Sequence, residues 1–124
     1  MSKSVLIVDD NAFIRTTLCR LFTSREFHVC GEAENGQQAI ARAQEMNPDL
    51  IVMDLSMPVM NGLQAVSALK RLMPNVPIIL FSDYSDTLSK QVAQSAGFSA
   101  LVSKSQPASA LIAAARELCF PSAA

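Results

Sequence analysis

Residues 50–54 read Leu50-Ile51-Val52-Met53-Asp54. Four apolar residues run without a polar interruption, and a carboxylate follows. A continuous apolar run, rather than an alternating one, marks a strand covered on both faces, as in a parallel sheet flanked by helices. The same pattern recurs outward in both directions. Val5-Leu6-Ile7-Val8 runs into Asp9-Asp10, Ile78-Ile79-Leu80-Phe81 into Ser82-Asp83, and Ala100-Leu101-Val102 into Ser103-Lys104. Phe27 to Glu32 reads as a weaker strand.

The stretches between these runs have helical length. Ala12 to Thr23 places Ile14, Leu18, Leu21 and Phe22 at helical spacing. Gly36 to Met46 does so with Ala39, Ile40 and Ala43, and Asn47-Pro48 ends it. Gly62 to Met73 does so with Leu63, Val66, Leu69 and Leu72. A fourth helix is expected from Asp86 to Ser95, stopped by Gly97. A fifth is expected from Pro107, in its first turn, to Leu118. Five βα units with right-handed crossovers give an α/β fold: a doubly wound, five-stranded parallel sheet of flavodoxin-like order 2-1-3-4-5.

The chain has 124 residues, half of them hydrophobic and 17% charged. That is one domain, residues 1–124 with a core of about 4–119, and fewer charges than the roughly 25% of an average soluble domain. Ten basic against eleven acidic residues give −1, so direct nucleic-acid binding is not expected. The first apolar run is too short for a signal peptide or membrane span, which predicts a cytosolic, cytoplasmic protein. Cys19, Cys30 and Cys119 are odd in number and widely spaced, so no disulfide or zinc site is expected. His28 lacks a ligand partner nearby in sequence.

In a parallel sheet the residues after each strand gather on one edge, and ligands bind there at the switch in strand order. That edge brings together Asp9, Asp10 and Asp54, with Ser82 and Lys104 beside them. Carboxylates about 4 Å apart repel by roughly 4 kcal/mol per pair at an effective dielectric of about 20. Protonation or a cation relieves this, and hard carboxylate oxygens suit Mg²⁺. An acidic cluster, a cation, a lysine and a hydroxyl can receive a phosphoryl group, with one carboxylate as nucleophile. Each residue alone has a plainer reading: a helix cap for Asp9 or Asp10, a turn for Ser82, a solvated side chain for Lys104.

The pattern resembles the receiver domain of two-component response regulators, the CheY-like family, from Val5 to about Leu118. The resemblance rests on Val5-Leu6-Ile7-Val8-Asp9-Asp10-Asn11, on the loop Asp54-Leu55-Ser56-Met57-Pro58-Val59-Met60-Asn61-Gly62, on Ile78-Ile79-Leu80-Phe81-Ser82, and on Ala96-Gly97 and Lys104. It implies that Asp54 is the phosphoacceptor. It further implies that Asp10, Asp54 and the carbonyl of Ser56 ligate Mg²⁺, and that Asp9 acts through a metal-bound water. Ser82 and Lys104 would bind the phosphoryl group. The implied donor is a histidine kinase or phosphotransfer protein, and the domain is a switch that catalyses its own loading and unloading rather than an enzyme.

Two positions depart from the family pattern. Leu101 stands where an aromatic switch residue is common, and Ser105 where a proline often follows the lysine. Lys104-Ser105-Gln106-Pro107-Ala108-Ser109 is closer in style to receivers of the NarL/LuxR group, which regulate transcription through a DNA-binding domain; here such a domain would lie beyond residue 124. A phosphohydrolase of the haloacid dehalogenase type would want a second Asp where Ser56 stands. Tyr84 is expected over the site mouth, slowing hydrolysis of the acyl phosphate. The Ala-rich last helix reads as apolar nearly all round, which suggests a homodimer or partner surface formed by the Asp86–Ser95 and Pro107–Leu118 helices.

Overall fold

The computed structural model describes residues 2–83 and 89–121. The strands are β1 (Lys3–Val8), β2 (Phe27–Ala33), β3 (Leu50–Met53), β4 (Ile78–Ser82) and β5 (Ala100–Ser103). They form one parallel sheet in the order β2-β1-β3-β4-β5. The helices are α1 (Ala12–Thr23), α2 (Gly36–Met46), α3 (Gly62–Leu72), α4 (Lys90–Ala96) and α5 (Ala108–Cys119).

Strand pleating splits the apolar runs into two cores. Leu6, Val8, Ile51, Met53, Ile78 and Leu80 meet Ala39 and Ala43 of α2, Ala65, Val66 and Leu69 of α3, Ala93 of α4, and Phe98. Val5, Ile7, Leu50, Val52, Ile79 and Val102 face the other way, onto Leu18 and Phe22 of α1 and Leu111, Ile112 and Ala115 of α5. Every residue of the four-residue run 50–53 is therefore buried. That is why the run shows no polar alternation.

The expected elements stand, with shifts at their ends. Asn11, Asn35 and Asn61 cap α1, α2 and α3, each accepting from the amide three residues on. Neither Asp9 nor Asp10 is a cap, so both are left for another use. The fourth helix is described from Lys90 with Ser89 as its N-cap; the expected start, Asp86, lies outside the described residues. Pro107 is the N-cap position of α5 rather than part of its first turn. That helix is also less uniformly buried than its composition suggests: Leu111, Ile112 and Ala115 point inward, while Ala113, Arg116 and Glu117 are exposed. Alanines on its outer face leave little apolar area in water. No helix among the described residues is long and apolar enough to cross a membrane.

Candidate functional site

Among the described residues, the buried polar or charged side chains are Asp9, Asp54 and Ser82. All three lie at the carboxyl edge of the sheet, at the ends of β1, β3 and β4. Burying an ionised carboxylate is costly unless it is paired and hydrogen-bonded, so this concentration needs a physical account.

Backbone contacts fix the frame. The amide of Asp9 donates to Ala33 at 3.0 Å and that of Asp54 to Val8 at 2.9 Å, so the two aspartates leave adjacent strands at the same level. The amide of Lys104 donates to the Ser82 carbonyl at 2.8 Å, which brings the end of β5 level with the end of β4. Gly62 opens α3 directly against the Asp54 backbone: a Cβ there would lie 2.5 Å from the Asp54 carbonyl oxygen. Its amide donates to Leu55 at 2.8 Å and closes the loop. Within that loop Val59 has φ 68°, a left-handed conformation unusual for a β-branched residue.

The carboxylates share their partners evenly. One oxygen of each buried aspartate accepts a backbone amide: Asn11 on Asp9 at 2.9 Å and Leu55 on Asp54 at 2.8 Å. The other oxygen of each faces Lys104, whose Nζ lies 2.9 Å from Asp9 Oδ2 and 3.4 Å from Asp54 Oδ2. Asp10, which is exposed, completes a trio whose ligand oxygens all lie within 4.8 Å of one another. Three carboxylates against one ammonium leave an excess of two negative charges when all are ionised.

Asp54 registers that excess. Burial, and then the neighbouring Asp9, push its pKa up to about 6, against the opposing pull of Lys104. Lys104 shifts the other way from what burial alone would give. Its bonds to Asp9 and its proximity to Asp54 raise its pKa above the ordinary lysine value, so it stays charged. The site thus holds a fixed cation, a carboxylate whose ionised form is disfavoured, and three hard oxygen donors in reach of one point. This donor set fits a small hard cation such as Mg²⁺, which takes one or two carboxylates and keeps several waters.

Residues 5–116 match the model of the response regulator receiver domain. The chain belongs to that family. It is 44% identical to the chemotaxis protein CheY of Thermotoga maritima over 82 residues, covering 66% of this chain and 68% of that protein. It is 36% identical to the Halobacterium salinarum CheY over 104 residues, covering 84% and 86%. It also matches a protein-glutamate methylesterase of Methanosarcina acetivorans at 42% identity, covering 69% of this chain and only 25% of that protein. The fold is that of solved receivers. The receiver of a NarL regulator from Mycobacterium tuberculosis superposes with a TM-score of 0.88 at 22% identity, covering 98% of each chain. The response regulator domain of Thermotoga maritima CheB gives 0.80 at 28% identity, covering 95% of this chain and 92% of that one.

Every candidate residue read from the sequence of this receiver falls on the one edge, with Ser56 in the exposed β3–α3 loop. Leu101, in place of an aromatic residue, is half-buried and packs with the α2–α4 core. Ser105, in place of a proline, joins a small hydroxyl cluster: Ser103 and Ser105 Oγ atoms are 2.8 Å apart, and the Ser103 amide donates to the Gln106 side chain at 2.8 Å. Those bonds hold the turn after Lys104. Tyr84 lies outside the described residues. Two residues escaped the sequence reading. Arg15 of α1 donates to the Asp9 carbonyl at 2.7 Å and pairs with Glu32 of β2 at 3.2 Å. Their signal was only a charged residue one helical turn beyond Asn11, facing a polar end of an edge strand.

Proposed function

We propose that this receiver is a Mg²⁺-dependent phosphoacceptor switch with Asp54 as the acceptor. The observation that carries the reading is Lys104 spanning the two buried carboxylates, with the oxygens of Asp9, Asp10 and Asp54 gathered around one point. Asp10, Asp54 and the Ser56 carbonyl would hold the cation directly, and Asp9 through a water. A cation bound there neutralises charge on the transferring phosphoryl oxygens. An ionised Asp54 oxygen forms the new bond to phosphorus while the bond from phosphorus to the donor's imidazole nitrogen breaks. The electron pair of that bond leaves with the imidazole. Lys104 pairs with the incoming phosphoryl oxygens and Ser82 donates its hydroxyl to them. The donor is a histidine kinase or phosphotransfer protein, and the domain itself acts as a switch rather than a turnover enzyme.

The structural readout follows from where Ser82 sits. It ends β4 and leads to α4, a seven-residue helix that buries only Ala93 and leaves Val92 half exposed. So weakly anchored a helix is the element a displaced Ser82 moves with least resistance. The α4 and α5 faces are then the surface offered to a partner or to a second copy.

Incubation with Mg²⁺ and acetyl phosphate, followed by intact mass measurement, tests the acceptor assignment. One phosphoryl group should be gained, dependent on Mg²⁺ and lost in Asp54→Asn. Continuous phosphate release with no adduct would favour a hydrolase instead, and an adduct that survives Asp54→Asn would place the acceptor elsewhere.

A further inference from the structure

We infer that Arg15 is a positioning residue for the metal site, holding the Asp9-Asp10 turn in its ligating arrangement through the main chain rather than through charge. Its guanidinium touches no carboxylate of the site. Nη1 donates at 2.7 Å to the backbone carbonyl of Asp9, and Nε pairs at 3.2 Å with Glu32. The side chain is 15% exposed, against 48% for Glu32. Arg15 thus spans three elements, from α1 to the end of β1 and the neighbouring edge of β2. The Asp9–Asp10 peptide is the hinge between β1 and α1. Its carbonyl is held by Arg15 and the Asp9 amide by Ala33. With both ends of Asp9 pinned, one carboxyl oxygen meets the Asn11 amide, the other meets Lys104, and the next residue, Asp10, is delivered to the trio.

Two physical roles for such a cation make opposite predictions. If Arg15 acted through its charge, it would repel a divalent ion at the carboxylates, and removing it would tighten binding. If it holds the turn, removing it frees the Asp9 carbonyl and loosens the direct ligand Asp10 together with the water-bridging Asp9, and binding weakens. Outer partners that orient ligands typically contribute 10- to 100-fold in metal affinity. Lysine cannot replace arginine fully here, because a single ammonium does not present the planar fork that serves the carbonyl and Glu32 at once.

The inference rests on the metal-binding reading proposed above, and the test separates the two. Mn²⁺, which accepts the same hard oxygen donors, is titrated into the metal-free protein and free Mn²⁺ is read by electron paramagnetic resonance. Absence of saturable binding to the wild-type protein would overturn the metal-site reading itself. Given wild-type binding, Arg15→Met is expected to weaken Mn²⁺ by about 10- to 100-fold, with Arg15→Lys between the two. Glu32→Gln, which keeps an acceptor for Nε, should weaken it less than threefold, on the order of one lost surface charge. Unchanged or tighter Mn²⁺ binding in Arg15→Met overturns the inference. A merely structural role would lower the metal-free melting temperature and leave the Mn²⁺ affinity of the folded fraction intact. If Arg15→Met does not fold, Arg15→Lys decides: wild-type affinity overturns the inference and a loss of threefold or more supports it.

Discussion

β3 is flanked by two aspartates, Asp49 before Leu50 and Asp54 after Met53. They share a residue type and a strand, and differ in every physical respect that matters. Asp49 is exposed, and its Oδ2 accepts both the Ser4 amide at 2.8 Å and the Ser4 hydroxyl at 3.2 Å. Its own amide donates to the Ser4 carbonyl at 2.9 Å. It ties β3 to β1. Asp54 is buried beside another carboxylate, and its pKa stands near 6. One end of the strand holds its carboxylate in exposed hydrogen bonds to Ser4; the other holds it buried beside a second carboxylate, where its ionised form is disfavoured. A carboxylate perturbed in this way within a crevice marks a functional site.

The largest effect should come from removing the one cation that bridges the buried pair. In Lys104→Met two carboxylates face each other without a counter-charge. Breaking a buried ion pair costs about 3–5 kcal/mol. Lys104 is 23% exposed, so a loss of about 2–3 kcal/mol is expected for the metal-free protein at pH 7. Added Mg²⁺ should return part of it. The matching change at the other end, Ser4→Ala, leaves Asp49 its amide donor and should cost about 1 kcal/mol or less. Urea unfolding of both variants checks the contrast. Equal losses would mean that the two ends of β3 are energetically alike.

The second prediction concerns Asp54 itself. Its folded pKa is raised, so the folded state binds a proton more tightly than the unfolded chain does. Any stability this lends is present at low pH and lost as pH rises from about 3.8 through about 6. Asp54→Asn removes that titration. Two pH units correspond to about 2.7 kcal/mol, and solvent at the crevice mouth reduces this to about 1–2 kcal/mol. The metal-free Asn variant should therefore be more stable than wild type at pH 7 by that amount. The two should converge near pH 4, and Mg²⁺ should narrow the gap at pH 7 by binding wild type more tightly. Thermal melts across pH 4–8 would expose the opposite slope if Asp54 were held by stabilising bonds alone.

Much of this was legible beforehand because the signals were continuous in sequence. The unbroken apolar runs of β1, β3 and β4 specified a two-sided sheet, and the polar residue after each run specified an edge. Asp54, Asp9 and Lys104 could be placed together because strand order determines which ends are neighbours. What escaped depends on side-chain reach. Nothing in the sequence distinguishes Arg15, which crosses to the Asp9 carbonyl, from the exposed Arg20 on the same helix. Likewise the cap of α1, for which Asp9 or Asp10 was the plain reading, is Asn11, whose side chain accepts from the Ile14 amide. The expected start of α4 at Asp86 lies outside the described residues, and among those described Ser89 caps the helix through the Val92 amide.

Backbone conformation gives the smallest and sharpest version of the comparison. Each side of β3 has a left-handed residue: Asn47, φ 48°, at the end of α2, and Val59, φ 68°, in the loop after Asp54. Asparagine tolerates this region, whereas a β-branched side chain crowds its own backbone there at about 1–2 kcal/mol. Val59 recovers nothing by packing, since it is 75% exposed. Strain of this kind collects at functional loops, where surrounding contacts hold it. Here the Gly62 amide bond to Leu55 and the Gly36 amide bond to the Met60 carbonyl at 2.8 Å bracket the strained residue. Val59→Gly should relieve the strain but enlarge the unfolded ensemble by about 0.4–1 kcal/mol, leaving a net gain of about 0.5–1 kcal/mol. Asn47→Gly should be neutral within about 0.5 kcal/mol, because asparagine already accepts the left-handed region. Paired urea titrations resolve a difference of that size. A Val59→Gly variant no more stable than wild type would show that the loop beside Asp54 is no more strained than the turn before Asp49.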